Sequence, residues 1–255
     1  MKMVIIPDCQ VKMGVPLEHL FYAGSWIAEK KPDYIICLGD FADMESLCSY
    51  DKGTKSFEGR RYTNDIQVAQ DAMSMLMRPI IQEKARLIRD KKKQWNPKMV
   101  LTLGNHENRI NKAINNDPKL DGLISVNDLC YEQWGWEVVP FLQVKVIEGI
   151  AFSHYFVSGV MGRPVTSARM LLTKHHMSCV AGHQQGRDIA FSQTADGKPI
   201  TGIISGSFYL HDEEYLTAQN NIHWRGIWQL NDVKDGSFDE LPLSVEYLKS
   251  KYGGK

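Results

Sequence analysis

Five short apolar runs in this chain each stop at a polar residue able to bind a metal or carry a proton. Met3-Val4-Ile5-Ile6 leads to Asp8 and Gln10, and Tyr34-Ile35-Ile36-Cys37-Leu38 leads to Gly39-Asp40-Phe41-Ala42-Asp43. Met99-Val100-Leu101-Thr102-Leu103 leads to Gly104-Asn105-His106-Glu107. Ile150-Ala151-Phe152-Ser153 leads to His154, and Cys179-Val180-Ala181 leads to Gly182-His183-Gln184-Gln185. Runs this short and this apolar predict buried strands. In an open α/β sheet the loops at the carboxyl ends of the strands line one crevice, so residues far apart in sequence meet there. Aspartate, asparagine and histidine together suit hard or borderline divalent cations.

The first half alternates strand and helix: a strand over 3–7, a helical pattern over 17–30, a strand over 34–38. That alternation predicts a largely parallel sheet. Residues 46–62 are polar and contain glycine, which predicts a loop. Residues 65–93 show helical spacing at Ile66, Ala69, Met73, Met77, Ile80, Lys84 and Leu87. Pro79 is expected to kink or divide that helix. The second half turns to β structure. Strands 141–147 and 150–153 join at Glu148-Gly149, and 189–194 and 200–205 join at Ala195-Asp196-Gly197. A helix is expected over 166–175. The whole reads as one domain over 1–255 with a mainly helical insertion around 46–95.

Composition bounds the reading in three ways. Lys+Arg and Asp+Glu are both 30, so the net charge is zero and the chain lacks the basic balance of a typical nucleic-acid-binding domain. The five cysteines are scattered and odd in number, and Cys37 and Cys179 fall inside apolar runs, as reduced core residues do. No apolar stretch approaches the ~20 residues of a membrane span. The first strand begins without a basic segment and apolar signal core, so a cytoplasmic protein without a membrane partner is expected.

The order and spacing of the motifs resemble the calcineurin-like metallophosphoesterase superfamily, whose members read Asp-x-His, Gly-Asp-x-x-Asp, Gly-Asn-His-Asp/Glu, an isolated His, and Gly-His-x-His. The resemblance covers roughly residues 1 to 230. It implies a four-layer α/β sandwich: two mixed β-sheets packed face to face and flanked by helices. It implies two divalent metal ions, with Asp40 as the bridging carboxylate. One ion takes Asp40, Asn105, His154 and His183. The other takes Asp8, Asp40 and the positions held here by Gln10 and Gln185, where the family usually has histidine. Both departures fall on one metal. Glutamine offers a neutral oxygen where imidazole offers a softer nitrogen. The Asp8-side ion is therefore expected to be the weaker, and manganese is favoured, with magnesium, iron(II) or zinc as alternatives.

The resemblance makes His106 the catalytic proton carrier, facing the scissile phosphate. Imidazole titrates near neutral pH, which suits that task. Asp43 or Glu107 is expected to orient it. Arg109 and Arg163 are candidate phosphate contacts, and His211 and His223 fall where the family often lines its substrate cleft. The implied activity is a metal-dependent phosphoesterase using metal-bound hydroxide, with a phosphodiester of a nucleotide or nucleic acid favoured as substrate. Met44-Glu45 after Asp43 argues against the serine/threonine phosphatase branch, which has Arg-Gly there. The alternative is a non-catalytic protein-binding scaffold of the same fold with an impaired metal site. Oligomeric state and pathway are not legible.

Overall fold

The computed structural model describes residues 1–49, 53–213 and 221–254. The parallel units come first: β1 (Met3–Ile6), α1 (Glu18–Lys30), β2 (Tyr34–Cys37), α2 (Tyr62–Arg89), β3 (Lys98–Thr102), α3 (Asn108–Asn116) and β4 (Trp136–Val139). The second half contributes β5 (Lys145–Ile147), β6 (Ile150–Ser153), α4 (Ala168–His175), β7 (Ser178–Ala181), β8 (Arg187–Gln193) and β9 (Pro199–Ser205). It ends with β10 (Gly226–Lys234), β11 (Ser237–Ser244) and α5 (Val245–Tyr252).

Two mixed sheets result. The six-stranded sheet has the order β11-β10-β1-β2-β3-β4, parallel from β1 to β4 and antiparallel at β10 and β11. The five-stranded sheet has the order β5-β6-β7-β9-β8, with β6, β7 and β9 parallel and both edges antiparallel. Side chains alternate between the faces of a strand, and here both faces are covered, which explains the unbroken apolar runs. In β1 and β2, Val4, Ile6, Ile35 and Cys37 pack on Leu20, Ala23, Ala69, Met73 and Leu76 of α1 and α2. The alternate residues Met3, Ile5 and Ile36 meet Phe152, Val180, Ile203 and Trp228 between the sheets. The outer face of the second sheet, through Ala151, Cys179 and Ile204, packs on Ala168 and Leu171 of α4. This is the four-layer sandwich that the motifs implied. No helix among the described residues is long and apolar enough to cross a membrane.

Three local expectations change. Pro79 does not divide its helix; α2 runs unbroken from Tyr62 to Arg89 with Pro79 buried inside it. A Cβ on Gly24 of α1 would overlap the Leu76 carbonyl and lie 3.2 Å from Pro79 Cδ. Apolar packing at that close crossing offsets the one hydrogen bond that proline removes. The 141–147 strand shortens to β5, because Leu142 adopts φ 66° and Gln143 N–H donates to Pro140 O at 3.0 Å, closing a turn first. The helix expected over 166–175 starts at Ala168, where the Ser167 hydroxyl accepts from Met170 N–H at 3.3 Å. His176 then takes the left-handed cap position.

Candidate metal centre and active site

The carboxyl ends of β1, β2, β3, β6 and β7 bring their trailing residues together. The loops after β1 and β2 are laced side by side: Cys9 and Gln10 N–H donate to Asp40 O at 3.0 and 2.8 Å, and Val11 bridges Ala42. Asp8 is anchored from the second sheet, its carbonyl accepting from Phe208 N–H at 2.7 Å and its carboxylate accepting from His183 N–H at 3.0–3.1 Å. Glycine is required at two of these ends. A Cβ on Gly104 would overlap Asp40 Oδ1, and one on Gly182 would overlap Asp8 Oδ1. Gln10, Asp40, His183 and Gln185 hold φ values of 43°, 46°, 68° and 53°. Non-glycine residues in that region are held there by their surroundings, and they cluster at functional sites.

His154 is fully buried, and its Nδ1–H donates to Leu38 O at 2.8 Å. That bond turns Nε2 inward, 2.9 Å from Asn105 Oδ1 and 3.3 Å from Asp40 Oδ2. A backbone carbonyl fixing the far nitrogen is the usual way to orient a metal-ligating histidine. One ligand atom each from Asp40, His154 and His183 lie within 4.8 Å of one another. Gln10 Oε1 is buried and has no hydrogen-bond partner among the described residues, as a carbonyl reserved for a cation would be. These donors fit a divalent-ion centre. Gln185 differs from Gln10, because its Oε1 accepts from the Tyr209 hydroxyl at 2.7 Å.

The electrostatics agree with that donor chemistry. Burial, with the neighbouring Asp40 charge, pushes Asp8 up to about 7. Burial opposes charge on His154 too, but Asp40 and Asp8 overcome it and raise its pKa to about 9. Asp40 stays well below the carboxylate range despite its burial, held by His106 and His154. Burial, reinforced by the charge on His154, lowers His183 to about 4, so its imidazole is neutral at pH 7. Asp8 and His154 thus hold protons that their ordinary values would have released at neutral pH, and a divalent cation would take the place of those protons.

His106 lies beside this centre with Nε2 3.7 Å from Asp40 Oδ2. Its Nδ1–H donates to Asp43 Oδ1 at 2.7 Å, and its backbone N–H donates to Asp40 Oδ1 at 2.9 Å. Burial disfavours its charge, but Asp40 and Asp43 outweigh that and raise its pKa. Of the two carboxylates expected to orient it, Asp43 is the one in contact. Glu107 instead accepts four backbone N–H groups: Phe41 (2.7 Å) and Ala42 (3.0 Å) on Oε1, and Asp40 (3.0 Å) and Gly104 (2.9 Å) on Oε2. It clips the loop after β2 to the loop after β3. Arg109 donates through Nη1 to Asp43 O and Oδ1 at 2.7 and 2.9 Å, and its Nη2 reaches within 3.3 Å of His106 Nε2.

Part of this centre opens on a cavity of about 1330 Å³, lined among others by Gln10, Asp40, Asn105, His106, Arg109, His183 and Gln185, whereas Asp8, His154 and Glu107 are fully buried and outside that lining. His211 and His223 also line it. His211 Nε2 meets Glu213 Oε1 at 2.7 Å, and His223 Nε2 lies 2.9 Å from Ser207 Oγ and 3.2 Å from Tyr209 Oη. Arg163 stands apart, exposed on a hairpin closed by the Val157–Pro164 bridge and outside the cavity lining. Sequence reasoning missed Lys12, Glu213 and Tyr209. Lys12 sits two residues beyond a motif, and Glu213 and Tyr209 carry no spacing signal.

The profile of the calcineurin-like phosphoesterase family matches residues 1–251, and the chain belongs to that family. No curated protein sequence matches it. Among solved structures, a double mutant of Vps29 from Entamoeba histolytica aligns over 96% of this chain and 99% of its own, at 12% identity and a TM-score of 0.40.

Proposed function

We propose that this phosphoesterase-family protein is a metal-dependent phosphodiesterase acting on a nucleotide or nucleic-acid phosphodiester, with manganese the favoured ion. The observation that carries the reading is the His106–Asp43 pair at 2.7 Å, set beside the ligand cluster and facing the same cavity. A phosphodiester expels a poor leaving group, and a positioned acid is what such a group needs. Asp40, Asn105, His154 and His183 would hold one ion, and Asp8, Asp40, Gln10 and Gln185 the other, the weaker. Divalent ions there would polarise the phosphate and lower the pKa of water.

The protein's own groups supply the rest. Asp43 accepts Nδ1–H of His106 and so leaves Nε2 to carry a proton toward the leaving oxygen. Arg109, tethered to Asp43 through Nη1, offers Nη2 to a phosphate oxygen. Leu38 O keeps His154 Nε2 turned inward, and Glu107 holds the Asp40 backbone. Five free thiols, three of them fully buried, support a reducing, cytoplasmic setting.

The test is hydrolysis of bis-p-nitrophenyl phosphate with manganese, followed by a panel of cyclic nucleotides, dinucleotides and short DNA and RNA. Turnover of diesters above monoesters is expected. His106→Ala should spare metal binding and cost ~10²–10⁴-fold on diesters with poor leaving groups, and less with nitrophenolate. No hydrolysis with any divalent ion, together with specific capture of another protein, would replace this reading with the scaffold.

A further inference from the structure

Asp43 receives three cations, although only one is the proton carrier. His106 and Arg109 both bond its Oδ1, whereas Lys12 Nζ sits 3.3 Å from its Oδ2. Lys12 is in turn held by Glu213, Nζ to Oε2 at 2.7 Å, and Glu213 Oε1 meets His211 at 2.7 Å. Both carboxylates are buried, with Asp43 6% and Glu213 3% exposed. An ammonium held between two buried carboxylates, on a side chain only 16% exposed, is not a solvated surface charge.

The backbone prepares this contact. Lys12 follows Val11, whose carbonyl accepts from Asp43 N–H at 3.0 Å, so the lysine stem starts beside its target. Glu213 comes from the chain after β9 and also lines the cavity. Its backbone is fixed by Asn221, which accepts from Glu213 N–H at 3.0 Å and donates to Glu213 O at 3.1 Å. The two oxygens of Asp43 are thus pinned from different elements: Oδ1 by the α3 side and Oδ2 by the loop after β1. A carboxylate held at one oxygen can swivel about its Cβ–Cγ bond. Held at both, it fixes the direction of the imidazole bonded to it.

Resting on the phosphodiesterase reading above, we infer that Lys12 is a positioning residue for His106. It locks the rotation of Asp43 and is itself seated by Glu213, so the aim of the proton carrier depends on the cavity wall that bears His211 and Glu213. Lys12 makes no contact with the candidate metal ligands in this role. Its loss should misdirect the acid without emptying the centre.

The experiment compares Lys12→Met, Lys12→Arg and Glu213→Gln with the native protein on a series of aryl phosphodiesters of increasing leaving-group pKa. Lys12→Met should steepen the dependence of kcat on leaving-group pKa. The loss should be roughly tenfold or more at the poorest leaving group, within what an acid contributes, and small for nitrophenolate. Manganese content should stay native. Lys12→Arg, which keeps the cation, should restore part of the loss, and Glu213→Gln should shift the slope the same way but less. In the metal-free protein, the low-field Nδ1–H proton resonance of His106 should weaken or move in Lys12→Met and Glu213→Gln. An equal loss on all leaving groups, a parallel loss of manganese, or an unchanged His106 resonance would overturn the assignment. Should Lys12→Met fail to fold, Glu213→Gln, which retains the lysine, decides by the same slope and resonance. If the native protein hydrolyses no diester, the functional reading fails first; native turnover with a flat Lys12 series sinks this inference alone.

Discussion

Replacing Glu107 tests whether the centre depends on one buried carboxylate that touches neither metal ligand side chains nor His106. Its two oxygens accept four backbone N–H groups at 2.7–3.0 Å, and the Tyr131 hydroxyl approaches at 3.4 Å. Glu107→Ala would leave four buried donors unsatisfied, each costing ~1–3 kcal/mol. The lower figure applies, because burial pushes the pKa of Glu107 up, and truncation also removes the cost of burying that charge. Four groups at ~1 kcal/mol give about 4 kcal/mol, in the range reserved for core disruption. In a chain of this size that is roughly 8–16 °C in Tm at 2–4 °C per kcal/mol. Glu107→Gln keeps one carbonyl for two donors and turns an NH₂ toward the other two, so it should cost about half as much. Thermal unfolding of the metal-free variants by circular dichroism measures both. If Ala lowers Tm by less than about 4 °C, or Gln is as damaging as Ala, the clip does not hold these loops together. Tyr131→Phe removes only the longest bond and should shift stability by about 1 kcal/mol or less.

Three further outcomes follow from the same geometry. Asp40→Asn should lower manganese content at both positions and abolish hydrolysis, as elemental analysis and turnover would show; two bound ions with native rates would remove Asp40 from the bridge. The metal-free protein should lose stability as pH rises. Asp8 and His154 have folded pKa values raised to about 7 and about 9, so each favours the fold below its ordinary value and loses that contribution as pH climbs through the folded one. His183 and His19, lowered to about 4 and about 3, work the opposite way only below the ordinary imidazole value of 6.5, so Tm should fall from about pH 6.5 to pH 9, and saturating manganese, which displaces the His154 proton, should flatten the slope; a Tm rising over that span would refute the sign. Gln10→His should tighten the Asp8-side position and shift it toward zinc in calorimetric titration. Gln185→His should do less, because the oxygen it replaces is bound to Tyr209; equal effects would show the glutamines acting as one unit.

The motifs were legible because each is local: a strand buried on both faces reads as an apolar run, and the residue after it lies at the sheet's carboxyl edge. Five such edges specified the sandwich and brought Asp8, Asp40, Asn105, His154 and His183 to one place. The β10–β11 hairpin escaped notice for the opposite reason. Its register shifts between Asn231 and Lys234, and Pro242 interrupts the edge strand, so the period of two is blurred. What makes β10 a strand is its pairing with β1, where Trp228 lies opposite Ile5, some 220 residues away. Pro79 misled in the same way, since the neighbour that sustains its helix, Gly24, lies on α1.

Spacing alone could not divide the labour between Asp43 and Glu107, the two motif carboxylates expected near His106. Glu107 is adjacent to His106 along the chain, yet at the start of α3 its side chain turns back under the loops, where unpaired backbone N–H groups of residues 40–42 and 104 collect. Asp43, more than sixty residues away, meets the imidazole because Glu107 has drawn the two loops together. The same logic separates the two glutamines. Both stand where the family has histidine, and both have left-handed backbones. Gln10 keeps a buried carbonyl with no partner among the described residues, while the carbonyl of Gln185 is bound by a tyrosine that follows β9. A ligand position is thus set by what else competes for its lone pair. That competition comes from residues the motif does not contain, so the departure was visible in the sequence and its meaning was not.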